Sequence, residues 1–368
     1  MKIGYDARYL NNNQSKMGYY SRNIVRIMSS LYPENLYHLY NTGLKTPIIN
    51  KKNTSVVDQK RILSFLSDPF RITTSSQIEQ KGDVIFHGLS QELPVGIENT
   101  SLKTVVTFHS ASQLFFCKKT NAIYDKIIDK KTQNACKIAD KIIAINDYSR
   151  LEVIEKYKVP ENKIEVIYPV CNEIFRIRYG RDSLTEVKLK YNLPNSFILF
   201  AGEICKTSGL ENILQTLKFK SIDFPLVIVG SETTYSKYLH EFCLNNDLTN
   251  RVTFLTNVNY TDLPIIMQMA TLFIYPTIND GFSIPVLEAL TSNIPVICSK
   301  GYGHEEAGGN FSKYINSENT EETGFAILQV LQDSDLQQFM KREGLKHAAK
   351  FTDDKIATKL QTLYKTLL

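Results

Sequence analysis

Residues 275–299 read YPTINDGFSIPVLEALTSNIPVICS, and the order within that stretch is strand, loop, helix, strand. The flanking runs LFIYP (272–276) and PVICS (295–299) are continuously apolar, the pattern of strands covered on both faces. Between them, residues 284–292 read as a helix. Gly281 allows a tight loop before it, Ser283 is placed to cap it, and Pro285 sits near its first position, where a missing N–H costs nothing.

The same kinds of segment recur along the chain. KIGYD (2–6), DVIFH (83–87), TVVTFH (104–109), KIIAI (141–145), KIEVIY (163–168), FILFAG (197–202), LVIVG (226–230) and VTFL (252–255) read as further strands. Helical stretches lie between many of them, at 18–31, 123–138, 146–157, 208–218 and 235–245. Strand and helix alternating in this way predict an α/β fold with two doubly wound, Rossmann-like parallel sheets. The polar and charged stretch 172–196, bounded by Pro169 and Pro194, reads as a linker. The expected division is an N-terminal domain over 1–178, a C-terminal domain over 179–350, and a terminal helix over 351–368 that packs back on the N-terminal domain. Doubly wound sheets present ligand crevices at the carboxyl ends of their strands. Two such crevices facing each other would hold a donor on one wall and an acceptor on the other.

Composition narrows the function classes. The 368 residues carry 43 Lys and Arg against 38 Asp and Glu, a formal net charge of +5, too mild to indicate nucleic-acid binding. The six cysteines (Cys117, Cys136, Cys171, Cys205, Cys243 and Cys298) include no Cys-x-x-Cys pair, which argues against a zinc site and a disulfide framework and for a reducing compartment. Asp6 and Arg8 interrupt the N-terminal stretch where an export signal needs an apolar core. No apolar run is long enough to cross a bilayer, so the expected location is cytoplasmic, with any membrane contact peripheral to its inner face. The lysine-rich stretch 118–141 reads as a solvated helix face or as a surface for anionic lipid.

Free amides at Gly281 to Ile284 would form an anion site at a helix N-terminus. Asp280 precedes that helix and Glu288 lies on it, so two carboxylates could accept hydrogen bonds from one polyhydroxyl ligand. The residues also read as an ordinary capped helix with a solvated Glu. His109 follows an apolar strand and reads as structural or as a group at the reacting centre. Ser208 and Glu211 have the spacing of a capping box.

The stretch DGFSIPVLEALTSNIPVICS (280–299) resembles the signature of the family-4 retaining glycosyltransferases, which have the GT-B fold and the pattern Glu-Gly-Phe-Gly-x-Pro-x-x-Glu-Ala. Asp280 shortens the first acid by one methylene, and Ser283 replaces the second glycine. MKIGYDARYL with MGYYSRNIV resembles the family's opening strand and acceptor-side loop, matched at Gly18 and Tyr20, with Lys16 in place of the first glycine. VIFHGLSQELP (84–94) and TVVTFHS (104–110) resemble the two segments with a His after a buried strand, His109 on the one that reaches the reacting centre. GHEEAGGN (303–310) resembles the later Pro-Glu-Val-x-Gly turn, with Glu305 on the acid.

The resemblance implies that Asp280 contacts the donor sugar and Glu288 the nucleotide ribose, with Gly281, Phe282 and Ser283 beside them. It places Gly202, Lys206, Thr207, Ser208 and Gly209 around the donor diphosphate. It makes His109 and Asp280 the catalytic pair and needs neither metal nor cofactor beyond the nucleotide-diphosphate sugar. Where the family carries an Arg and a Lys against the diphosphate, this chain has Glu203 and Ser208, and Lys206 stands two residues early. The implied reaction is retaining transfer of a hexose, mannose or glucose, to a glycan or lipid-linked glycan acceptor in cell-surface polysaccharide synthesis. The alternative is a catalytically weak or inactive scaffold that serves as a binding or regulatory subunit. An epimerase or a phosphorylase on a related fold stands behind both.

Overall fold

The computed structural model describes residues 1–12, 15–40, 49, 51–57, 75–110, 122–218, 222–278, 281–301 and 303–368. They form two compact units. One comprises the described residues up to Val170 together with Asp353–Leu368, and the other comprises Cys171–Thr352.

In chain order the first unit carries β1 (Lys2–Asp6), α1 (Lys16–Leu31), β2 (Leu36–Tyr40), β3 (Thr54–Val56), α2 (Ser75–Gln80), β4 (Ile85–Gly88), β5 (Lys103–Phe108), α3 (Ala122–Ile138), β6 (Lys141–Ala144), α4 (Asp147–Tyr157) and β7 (Ile164–Val166). The second carries α5 (Arg181–Lys190), β8 (Ile198–Ala201), α6 (Leu210–Thr216), β9 (Leu226–Val229), α7 (Thr234–Asn245), β10 (Val252–Leu255), α8 (Leu263–Met269), β11 (Leu272–Tyr275), α9 (Ile284–Thr291), β12 (Val296–Ser299), α10 (His304–Gly308), β13 (Lys313–Ile315), α11 (Thr320–Gln332) and α12 (Ser334–Ala348). Helix α13 (Asp353–Leu367) then belongs to the first unit again.

Both sheets are parallel throughout. The first runs β3-β2-β1-β4-β5-β6-β7 and the second β10-β9-β8-β11-β12-β13. Each order reverses once, so a switch point lies between β1 and β4 in the first sheet and between β8 and β11 in the second. The inner strands of the second sheet, ILFA, LVIV, LFIY and VICS, are buried at every position, which is why they read as unbroken apolar runs. Three strands fall outside the expected set. Two of them, β3 and β13, are three residues long and sit at sheet edges, half covered, where the apolar signal is weakest. The stretch expected to be a linker folds as a short 3-10 turn at Glu173–Arg176 and as α5, which buries only Val187.

Helix α13 lies along α1. Its Asp353 meets Arg26 at 2.5 and 3.1 Å, and Gln361 accepts from Asn35 at 3.0 Å. Deeper in, the Tyr364 hydroxyl lies 2.7 Å from His87 Nδ1 and 3.2 Å from the Tyr5 hydroxyl. His87 Nε2 is 2.7 Å from Thr107 Oγ1, which lies 3.2 Å from the Tyr20 hydroxyl. All five side chains are buried, so a missing partner cannot be replaced by bulk water. Tyr364→Phe keeps the ring and removes the hydroxyl. The expected cost is about 1–3 kcal/mol, read as a lower urea midpoint at unchanged slope. An unchanged midpoint would mean that the chain of hydrogen bonds does not help to hold α13.

Candidate functional site

In the second unit the loops that leave β8 and β11 flank the switch point. After β8, Gly202 is followed by a 3-10 turn at Lys206–Ser208 and then by α6. Gly209 makes the join with φ +71°. A Cβ there would stand 2.5 Å from the Pro276 carbonyl oxygen, so both conformation and space require glycine. The Ile278 amide donates to the Thr207 carbonyl at 2.9 Å, stitching the β11 loop to the β8 loop. Thr233, the N-cap of α7, donates its hydroxyl to the Ile204 carbonyl at 2.8 Å and holds the β8 loop from the other side.

The expected capping box is absent. Gly209, not Ser208, occupies the cap position of α6, and Glu211 accepts from the hydroxyls of Tyr235 and Tyr238 at 3.1 and 3.0 Å. Ser208 is fully buried and its hydroxyl has no partner among the described residues; the same holds for Thr277, just past β11. Lys206 is exposed and makes no ion pair among the described residues.

Ser283 stands at the N-cap of α9, with Pro285 in the first turn, yet its hydroxyl makes no capping bond. It lies 2.5 Å from Nδ1 of the buried His304 instead. A specific tertiary partner has displaced the local one. Phe282 is buried against Phe351, ring centroids 5.6 Å apart. Gly281 is buried at the entrance to the helix. Glu288 is 5% exposed, not solvated, on a helix whose other buried residues are Val286, Leu287, Ala289, Leu290 and Thr291. Asp280 lies outside the described residues. Glu305 is exposed and accepts from the Gly301 amide at 3.3 Å. Cys136, Cys243 and Cys298 are buried, unbridged thiols.

In the first unit, His109 follows β5 and is 2% exposed. Its Nε2 donates to the Leu89 carbonyl at 2.9 Å, which leaves Nδ1 as the acceptor of the neutral ring. The Tyr20 ring meets it edge-on at 4.8 Å. Gln91, which nothing in the sequence singled out, is the residue that shapes this turn. It adopts φ +67°, and its side-chain oxygen accepts from the amides of His109 and Ser110 at 2.7 and 3.0 Å. At the end of β1, Arg8 bridges Asp6 and Glu92, both at 2.8 Å. Gly18 lies in the first turn of α1, its amide donating to Ser15 at 2.9 Å; a Cβ there would be 2.1 Å from the Asn12 carbonyl oxygen. The Tyr20 hydroxyl points inward to Thr107.

Residues 185–347 match the family model described as glycosyl transferases group 1, and residues 60–172 match the one described as glycosyltransferase family 4. The chain is 24% identical over 335 residues to O-antigen chain mannosyltransferase B of Escherichia coli, covering 86% of each. Among solved structures it resembles a glycosyltransferase from Rickettsia africae, with TM-score 0.79 and 16% identity, over 100% of this chain and 98% of that one. It also resembles Anabaena HepE in complex with UDP-glucose, with TM-score 0.77 and 16% identity, over 100% of both chains.

Burial pushes His109 down to about 4. Burial, with a smaller push from His109, takes His87 down to about 3. Unfolded imidazole titrates near 6.5, so between that pH and about 4 the unfolded chain binds more protons than the folded one. The stability contributed by these neutral histidines is full above about pH 6.5 and is lost as pH falls. At pH 5 each costs roughly 2 kcal/mol relative to pH 7. The melting temperature should therefore drop from pH 7 to pH 5, and His109→Gln should flatten that drop. An equal drop in the variant would rule out His109 as a source.

Proposed function

Because the chain belongs to family 4 of the GT-B glycosyltransferases, we propose that it transfers a hexose, mannose or glucose, from a nucleotide-diphosphate sugar to a glycan or lipid-linked glycan. It is a glycosyltransferase of polysaccharide synthesis, in line with its O-antigen mannosyltransferase relative. In this reading the transfer retains the anomeric configuration and requires no metal or further cofactor.

The observation that carries the reading is the burial of Glu288 on α9. A buried carboxylate keeps one orientation, and Glu288 stands where the family signature has its second acid, so it would accept from the nucleotide ribose with its remaining lone pairs. Asp280 would hold the sugar ring, while Gly281, Phe282 and Ser283 would bring the start of α9 to the donor. Gly202, Lys206, Thr207, Ser208 and Gly209 would line the diphosphate, with the unpartnered Ser208 hydroxyl donating where the family has a Lys side chain. A hydroxyl lacks the full charge of that Lys, and Lys206 is the nearest cation in sequence. Gly18 and Tyr20 belong to the acceptor side, with Gly18 letting the start of α1 approach the β1 loop closely.

His109 is neutral at pH 7 with Nε2 committed to Leu89, so it accepts a hydrogen bond at Nδ1 from a sugar hydroxyl. It is poorly suited to donate a proton. The chemical load is the departing diphosphate and an oxocarbenium-like sugar, which positioned dipoles can stabilise.

A second reading rests on one observation, Glu203 and Ser208 in the places of the family's cations. It makes the chain a binding or regulatory scaffold that holds a nucleotide sugar without turning it over. For location we propose the cytoplasmic face of a membrane. Along α3, Ile123, Lys126, Ile127, Lys130 and Lys137 are exposed at helical spacing. Flotation with vesicles should require anionic lipid, and indifference to lipid charge would sink that location.

A thermal-shift panel of UDP-, GDP- and ADP-sugars tests the donor site. A ligand at 100 times its dissociation constant stabilises by about 2.7 kcal/mol. Glu288→Ala should abolish the shift, and a shift that survives would move the donor elsewhere. Turnover should persist in chelator and yield the retained anomer. An inverted product or loss of activity in chelator would overturn the mechanism, and binding without turnover across acceptors would favour the scaffold.

A further inference from the structure

The second unit holds a cavity beside the β11 loop, at the carboxyl ends of β12 and β13 and the first turn of α11. Its volume is about 550 Å³, within the range of small-molecule sites. Ile278 and Ile315 give it apolar walls, and Ser299, Lys300, Ser317 and Glu322 are among its polar ones. Ser299 is 4% exposed and its hydroxyl has no hydrogen-bond partner among the described residues, so a buried polar group at this cavity can take one from a ligand.

The walls are held in place by the protein itself. The Lys300 amide donates to the Ile315 carbonyl at 3.0 Å. Asn212 donates to the Ser317 carbonyl at 2.7 Å and to Thr323 at 3.1 Å. Asn319 caps α11 by accepting from the Glu322 amide at 3.0 Å. Lys300 and Glu322 lie 3.3 Å apart and largely cancel, and Glu318 adds a second carboxylate. The lining therefore disfavours an anion. It contains no aromatic ring among the described residues, so a nucleobase would find nothing to stack on.

We propose that this cavity is a second carbohydrate subsite, one that takes a neutral pyranose unit. Such a unit presents hydroxyls to carboxylate, amide and serine groups and C–H faces to isoleucine. Glu322 accepts from one hydroxyl, Ser299 shares a hydrogen bond with another, and the two isoleucines cover a ring face. The site shares the β11 loop with the proposed donor site through Ile278 but uses neither Glu288 nor the transfer reaction, so it can be tested apart from the assignment of Glu288.

The test labels isoleucine methyl groups and titrates the whole chain with methyl α-mannopyranoside and methyl α-glucopyranoside, with inorganic phosphate as the anionic probe. At least one glycoside should shift the Ile315 methyl saturably, and phosphate should leave it unmoved. Glu322→Gln, at a partly exposed position, should weaken binding by about tenfold. Ser299→Val should do likewise without lowering the melting temperature, because it replaces an unpartnered hydroxyl. No saturable shift with either glycoside, a response to phosphate, or undiminished affinity in both variants would overturn the proposal. The nucleotide-induced thermal shift reads the donor site separately, so failure of one assignment leaves the other measurable.

Discussion

A parallel sheet imposes one constraint from which most of this structure follows. Its neighbouring strands run the same way, so every connection must cross over a face, and every loop that leaves a strand emerges at the same edge. In the second unit that edge gathers the loops after β8, β11, β12 and β13. Segments as far apart in sequence as Thr207 and Ile278 are thereby close enough to bond. The strands carry no chemistry and supply a buried, nearly featureless platform. Hydroxyls, carboxylates and glycines that would be costly inside the sheet collect at its rim.

What the sequence reveals follows from the same constraint. Strands covered on both faces are continuously apolar, so β1, β5, β8, β9, β11 and β12 are legible without knowledge of their neighbours. Edge strands such as Lys313–Ile315 are not, because half of each lies outside the core. Helix α5 hides behind RDSLTEVKLK, whose charges read as a linker although the backbone is helical. The stretches after β8 and β11 are legible as an order of residue types, but their local bonding is not. Ser208 and Ser283 both look like helix caps, and neither caps. One is left unpartnered by a glycine that takes the cap position, the other is claimed by His304 from a different loop. Gln91 gives no signal at all, since only the folded turn shows a non-glycine residue at φ +67° holding two amides.

Buried polar groups take two forms in this structure. In the first unit two tyrosines, a threonine, a histidine and the terminal-helix tyrosine form one continuous chain. Such an arrangement is rigid and fixes the protonation state of its histidine. In the second, Ser208, Thr277 and Ser299 are buried at the sheet's rim with hydroxyls unspent. Satisfied networks belong to parts that must hold still, and unsatisfied hydroxyls to places where another molecule can complete them.

The return of α13 to the first unit has a consequence for biogenesis. During synthesis the ribosome releases α1, β1 and β4 early, yet the helix that covers them emerges only after all of Cys171–Thr352. The nascent first half therefore waits, with the α1 surface and the His87 end of its hydrogen-bonded chain uncovered, while the second half can close as a unit. A premature stop just after Thr352 would leave the later-made half intact and cripple the half that was made first.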